Sequence, residues 1–279
     1  VYDERYAQGG FRLIFDSFAD LLLNKEANDT VAEYIRGKIR ERVTDPQIAD
    51  ILSPKDYPYG TKRPPLETNY YETYNRDNVT LVDIKVSPIE RITEQSICTT
   101  SGEYKLDAIV LAIGFDAMTG PLMQLGIVGR NGEKLADRWA NGPLTYLGIT
   151  THGFPNLFFI TGPQSPGVFY NMPLAIEDHV DFATDAIQYL RDHDLDLIEP
   201  TLEAETQWVA HVYELAQHTL LPGTDSWYTG ANIPGKPRSC MVYLGGAPAY
   251  RKVCAEVVDD GYTGFTLDRT VATEGIGAD

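Results

Sequence analysis

Apolar residues fall along this chain in two registers, one helical and one continuous. Val31, Tyr34, Ile35, Ile39 and Val43 recur at helical spacing, and Thr30 with Glu33 makes a capping-box pattern that predicts the start of that helix. The same spacing predicts a helix over 176–190, with Ile176, Val180, Ala183, Ile187 and Leu190 on its apolar stripe. A further helix is expected over 203–220, with Trp208, Val212, Leu215 and Thr219 on one side, and a shorter one over 250–258.

The continuous register is carried by 106–116 (LDAIVLAIGFD) and 157–167 (LFFITGPQSPG). Unbroken apolar runs suit strands covered on both faces, so 105–113 is expected to be a central strand and 156–161 a second one. Each run enters a glycine turn, and the second is followed by the 176–190 helix, which is the strand–turn–helix order of an α/β unit. Short strands are also expected at 79–82, 89–93, 97–100, 241–244 and 265–267. The apolar-aromatic stretch 11–23 reads as helical, and Asp45-Pro46 breaks the front section. Pro54, Pro58, Pro64 and Pro65 then impose an extended crossing around Gly60-Thr61-Lys62-Arg63, as a connection between larger bodies. Residues 269–279 read as a loose tail.

Composition narrows the classes. The 279 residues are 43% hydrophobic, as in an ordinary globular protein, and can bury one large core or two modest ones. Lys and Arg number 23 against 40 Asp and Glu, a net charge of -17 that opposes binding to nucleic acid but leaves room for a local basic pocket. No apolar run approaches the roughly 20 residues that cross a bilayer. VYDERYAQGG shows no secretion signal and no initiating Met, and reads as an internal starting point. Cys98, Cys240 and Cys254 lack CxxC spacing, so neither a disulfide framework nor a metal cluster is expected, and a cytoplasmic setting is the default.

Several residues could carry chemistry. Lys62 and Arg63 place two cations in a proline-bounded turn, either as a solvated pair or around a shared anion. Asp116 sits at the carboxyl edge of a predicted strand, where it can accept from a ribose or ribityl hydroxyl or cap the turn at Thr119 or Gly120. The glycine- and aromatic-rich loop 222–238 is a candidate lid whose Trp227 either stacks on a planar cofactor or anchors the loop to the core. Lys236 and Arg238 could hold that loop or a phosphate. Gly162-Pro163-Gln164-Ser165-Pro166-Gly167 misses the GxSxG nucleophile elbow because Pro163 replaces its first glycine, and a triad of Ser165 with His179 and Asp181 or Asp185 is weakly supported. His211, Glu214 and His218 follow helical spacing, but the two histidines lie two turns apart and read as polar helix surface.

With these residues in hand, the chain resembles the Baeyer–Villiger monooxygenases, such as the cyclohexanone and phenylacetone enzymes. The resemblance runs through FRLIFDSFAD, YGTKRPPLETNYYETYNRDNVTLVD, LDAIVLAIGFDAMTG, TYLGITTHGFPNLFFITGPQSP, DSWYTGANIPGKPR and YLGGAPAYRKVCAEVVDDGYTGF. It implies an α/β fold, a partial two-dinucleotide-binding-domain flavoprotein with a helical insertion. Residues 1–55 would be the helical insertion, 56–100 the end of an NADPH domain, and 101–279 the returning FAD domain with its lid at 222–238. It also implies an NADPH- and FAD-dependent conversion of a ketone to an ester or lactone with molecular oxygen, through a C4a-peroxyflavin and a Criegee adduct. By the same resemblance Arg63 is the catalytic arginine, Lys62 reads the NADPH 2′-phosphate, and Asp116, Met172 and Trp227 lie on the cofactors. Gly167, Val168, Phe169 and Tyr170 border the substrate, for which Phe169 and Tyr170 suggest a cyclic or bulky ketone.

The chain departs from the family pattern in having Ile113 where a threonine is frequent, and in lacking both GxGxxG turns and the FxGxxxHxxxW fingerprint. It is therefore expected to act only with an N-terminal segment of the same enzyme. An N- or S-oxidising flavin monooxygenase and a non-catalytic binding or scaffold fragment are the alternatives. The oligomeric state is not legible in the sequence.

Overall fold

The computed structural model describes residues 1–167 and 170–269. The chain divides into two compact units, one of Val1–Gly60 with Pro64–Phe115 and one of Thr61–Arg63 with Asp116–Asp279.

The first unit opens with α1 (Tyr2–Gln8), α2 (Arg12–Phe15), α3 (Lys25–Arg42), α4 (Pro46–Leu52) and α5 (Tyr70–Thr73). Helix α3 starts five residues before the predicted Thr30, because Asn24 accepts from the amides of Glu26 and Ala27 and so satisfies the first turn. Thr30 lies inside the helix, where its hydroxyl donates back to the Ala27 carbonyl. Asn28 is fully buried and clamps the proline-rich crossing: its Nδ2 donates to the Leu21 and Tyr59 carbonyls, and its Oδ1 accepts from the Tyr59 amide. Beyond lies an antiparallel meander of β1 (Ile89–Ile92), β2 (Ser96–Thr99) and β3 (Gly102–Lys105), with Cys98 and Thr99 buried on the middle strand.

Two strand expectations in this unit are corrected. Residues 79–82 form no strand, and the run 106–115, expected as a buried central strand, joins no ladder among the described residues. It leaves the meander as open chain with Val110 88%, Leu111 71%, Ile113 87% and Phe115 87% exposed. Apolar character selects a strand only where a neighbouring strand pairs along it; here the Leu106 amide reaches the Gln95 carbonyl at 2.9 Å, and the run enters no sheet of the described residues.

The second unit holds the larger core. Its elements are α6 (Gly120–Gln124), α7 (Leu135–Arg138), α8 (Met172–Asp192), β4 (Leu197–Pro200), α9 (Leu202–Gln217), α10 (Ala247–Asp259) and β5 (Phe265–Asp268), with β4 and β5 paired antiparallel. Trp208 of α9 stacks on Tyr243 at 5.2 Å between centroids, Tyr250 lies tilted against both, and Tyr262 meets Phe182 and Phe265 edge-on in the same core. Helix α8 forms as expected but rolls onto another face: Ala175, His179, Phe182, Ala186 and Leu190 are buried, whereas Ile176, Val180 and Ile187 are over 40% exposed. On α9 the expected Trp208 and Val212 are buried with Glu205 and Ala216, Leu215 packs partly buried against the same core, and Thr219 is half-buried.

Residues 156–161 and 241–244 belong to no sheet, and Asn156, Ile160 and Thr161 are turn residues. Single bonds replace ladders there: Asn156 exchanges bonds with Ile198, the Phe159 amide reaches Ile149, and residues 241–243 bond to Tyr228, Gln164 and Ser165. Expected pairing as regular strands failed because prolines and positive-φ residues interrupt the segments around them, Thr161 and Gln164 among them. Val168, Phe169 and all but Arg269 of the tail expected at 269–279 lie outside the described residues.

Candidate functional site

The second unit brings together three of the sequence-predicted positions. Ser226 is fully buried; its hydroxyl donates to the Thr61 carbonyl at 2.7 Å and accepts from the Tyr228 amide at 3.2 Å. Ser226 is also the N-cap of a single 3-10 turn, Trp227–Thr229, so one side chain fixes both the Thr61-Lys62-Arg63 turn and the start of the aromatic loop. Thr61 is buried, Lys62 half-buried and Arg63 exposed. Burial raises the Tyr228 phenol above its ordinary range, and the positive charge of Arg63 opposes that rise. Trp227 is half-buried and meets Tyr228 edge-on at 4.6 Å.

Asp116 and the far end of the same loop form a second cluster. The Lys236 ammonium pairs with Asp116 Oδ1 and donates to the Ala117 carbonyl at 3.1 Å. Asp116 leans over Gly120, where a Cβ would lie 2.5 Å from its Cγ. Thr119 is 2% exposed, and its Oγ1 has no hydrogen-bond partner among the described residues. Arg238 pairs with Asp225 and closes the loop on itself. Sequence reasoning gave Lys236 as a loop or phosphate holder; the structure uses it to tie the loop to Asp116.

The turn 162–167 is built for packing rather than nucleophilic attack. Ser165 is buried and its hydroxyl donates to the Gly162 carbonyl at 2.7 Å. Gln164, fully buried at φ +69°, accepts from the Thr145 amide and hydroxyl and donates to the Pro143 carbonyl. His179 is bonded to Thr161 and Tyr250, and Asp181 and Asp185 are exposed, so no Ser–His–Asp relay forms. The glycines permit backbone to lie on backbone: a Cβ on Gly162 would sit 2.4 Å from the Gly148 carbonyl.

Gly167 ends this turn at φ +51° against Val242. Tyr170 then donates to Asp178 Oδ2 at 2.7 Å, and Arg251 pairs with the same carboxylate while covering the Tyr170 ring at 5.2 Å. Met172, the first residue of α8, is 36% exposed. Among the described residues no group of His, Cys, Asp or Glu is arranged to hold a metal, and no helix is long and apolar enough to cross a membrane.

Sequence reasoning missed a buried carboxylate pair. Glu205 on α9 takes Arg138, the Thr151 hydroxyl and the His152 amide, and Glu199 takes Arg130 and the Gly153 amide. The signal was available in Thr150-Thr151-His152-Gly153, a run of donors with no apolar periodicity.

No family model matches the chain. It is 43% identical over 263 residues to a Baeyer-Villiger monooxygenase of Pseudooceanicola batsensis, covering 94% of this chain and 48% of that protein. Its fold superposes at TM-score 0.91 on a cyclohexanone monooxygenase from Rhodococcus sp. Phi1 bound to NADP+, with 41% identity over 96% of this chain and 50% of that one. A protein solved as OTEMO in complex with FAD and NADP matches at TM-score 0.90 and 43% identity, over 95% of this chain and 49% of that one. The chain spans about half the length of the relatives it matches.

Proposed function

We propose that this chain, which resembles Baeyer–Villiger monooxygenases over about half of their length, is one part of an FAD- and NADPH-dependent enzyme of that family that oxygenates ketones to esters or lactones. The observation that carries the reading is the Ser226 bond to Thr61, which holds the Lys62-Arg63 turn beside the Trp227 loop.

The residues present suit both cofactors. Lys62 and Arg63 offer cations to phosphate and to negative charge, Trp227 offers an indole face and N–H, and the buried Thr119 hydroxyl beside Asp116 is open to a hydroxyl from outside the described residues. When bound, FAD supplies oxygen activation and NADPH the hydride that drives it. Arg63 is the catalytic group: its fixed positive charge stabilises negative charge developing at the substrate carbonyl oxygen. Lys62 binds the 2′-phosphate, Asp116 and Met172 border the flavin, and the segment from Gly167 through Val168 and Phe169 to Tyr170 borders a cyclic or bulky ketone. In sum, ketone, O2, NADPH and a proton yield ester, NADP+ and water.

The partner in this reading is the N-terminal portion of the same enzyme, carrying the GxGxxG turns that the 279 residues do not contain. The exposed apolar run 106–115 and the exposed Ile176, Val180 and Ile187 face of α8 support it, since open strand edges and apolar helix faces take partners. Residues 1–55, 56–100 and 101–279 would then serve as helical insertion, end of the NADPH domain and returning FAD domain.

The test is to combine this chain with that N-terminal portion and measure NADPH consumption and ester formation on cyclic ketones. Wild type is expected to form lactone, and Arg63→Ala to keep the flavin absorbance while losing it. Oxidation of amines or thioethers without any lactone would replace the reading with heteroatom oxygenation. Absence of both activities from a flavin-loaded pair would leave a binding or scaffold role.

A further inference from the structure

Among the residues of the second unit that hold left-handed backbone without glycine's freedom are Leu147 at φ +59° and Thr161 at φ +55°. Thr161 is β-branched, for which this region is an outlier that surrounding structure has to enforce. Both are tied to one relay. The Thr161 amide donates to His179 Nδ1 at 2.9 Å, His179 Nε2 meets the Tyr250 hydroxyl at 2.7 Å, and that hydroxyl donates to the Leu147 carbonyl at 2.7 Å. His179 and Tyr250 are each 1% exposed.

The bond directions leave one arrangement. Of the two groups at Nδ1, the Thr161 amide at 2.9 Å is far closer than the Phe159 carbonyl at 3.4 Å, so Nδ1 accepts; the Tyr250 proton goes to Leu147, so its oxygen accepts from Nε2–H. Both ends select the neutral imidazole with its proton on Nε2. The two turns so held carry Gly148 and Gly162, whose backbones lie in direct contact, and Gly162 opens the segment ending at Gly167 and Tyr170.

We propose that His179 is a positioning residue which, through Thr161 on one side and Tyr250–Leu147 on the other, sets the 162–167 turn against the cofactor and substrate side of the site. Its functional half rests on the reading above, in which Gly167 to Tyr170 border the substrate; the relay itself does not.

The relay is tested first on the wild-type chain by 15N NMR of its histidines and by amide exchange. His179 is expected to show a protonated Nε2 and an unprotonated, hydrogen-bonded Nδ1, and Thr161 to exchange among the slowest amides. A proton on Nδ1, or a rapidly exchanging Thr161 amide, would overturn the proposal without any variant. His179→Gln can accept from Thr161 and donate to Tyr250, whereas His179→Leu fills the space and does neither. The glutamine variant is expected to keep Thr161 protection within a few fold, and the leucine variant to lose about tenfold or more, the worth of one buried hydrogen bond. Equal protection in both would reduce His179 to a space filler.

In the enzyme completed with its N-terminal portion, His179→Leu is expected to raise KM for the ketone several fold more than it lowers NADPH oxidation, with His179→Gln restoring it. An unchanged KM in the leucine variant overturns the positioning role. A completed wild type that oxygenates no ketone, yet shows the tautomer and the protection, overturns the functional reading and leaves the relay standing.

Discussion

Ser226 Oγ lies 2.7 Å from the carbonyl oxygen of Thr61, 165 positions earlier in the chain. With the Tyr228 amide as its second partner, this one hydroxyl joins the cationic turn to the aromatic loop. Ser226→Ala removes a donor from the buried Thr61 carbonyl and uncaps the 3-10 turn, which costs about 1–3 kcal/mol. Thermal unfolding of the chain reads the loss. In the completed enzyme the variant is expected to consume NADPH with less ester formed per turnover; full coupling would show that the turn is held by other contacts.

Gly162→Ala is expected to destabilise by about 1–3 kcal/mol, because its Cβ would meet the Gly148 carbonyl at 2.4 Å and Phe159 Cβ at 2.6 Å. Gly223 is the control: nothing lies within 4 Å of its Cβ position, so Gly223→Ala is expected to be neutral or slightly stabilising. Denaturation midpoints for the two variants should differ in this direction. Equal midpoints would mean that the backbones at 148 and 162 separate freely.

Glu205 is 2% exposed and holds the Arg138 guanidinium, which is itself 12% exposed, together with two donors from Thr151 and His152. Removing the carboxylate takes the near partner from the Arg138 cation, whose other carboxylate, Glu133, lies at 3.9 Å, and takes the acceptor from the His152 amide, while the Thr151 hydroxyl keeps the Leu144 carbonyl. Glu205→Ala is therefore expected to cost about 3–5 kcal/mol, and the double change Glu205→Ala with Arg138→Met markedly less than the sum of its parts. A double-mutant cycle on urea midpoints measures the coupling.

The same residues show what a sequence can and cannot reveal. Helix α8 was legible from apolar spacing, yet both of its flanks are apolar, and spacing alone could not say whether Ile176 or Phe182 faces the core. The 106–115 run was legible as a strand former, but a ladder is a property of two segments, and the described residues supply no second one. Lys62, Arg63 and Trp227 were legible from residue type and resemblance, while their joint anchor was not, since nothing in the letters Thr61 and Ser226 announces a bond between them. His179 was weighed only as a poor triad member, and its two committed nitrogens emerged from geometry.

Burial pushes the Cys254 thiol up to about 12 from an ordinary 9.0, the Tyr250 hydroxyl opposing, and burial also raises Cys240. Since the thiolate is the nucleophile, a shift of that size lowers the reactive fraction of Cys254 by about 10³-fold near neutral pH. Alkylation of the native chain is expected to spare both residues and to reach completion on unfolding. Fast labelling of the half-buried Cys254 in the native state would contradict its raised pKa.

His179 also gives the chain an acid limit. Burial lowers its pKa below 6.5; the Phe159 carbonyl, 3.4 Å from Nδ1, and the carboxylate of Asp178, which also pairs with Arg251 and Tyr170, oppose the shift without reversing it. Tyr250 and Cys254, facing from α10, both stay protonated because burial raises their pKa values, so neither takes the imidazole's charge. With the folded value below the unfolded one, the unfolded chain binds the extra proton first as pH falls. The contribution of neutral His179 is thus complete above about pH 6.5 and is lost progressively below it, down to the depressed folded value. Urea midpoints measured between about pH 8 and pH 5 are expected to fall more steeply in wild type than in His179→Gln. Parallel pH profiles would show that His179 accepts its proton in place, with the Thr161 bond already dispensable.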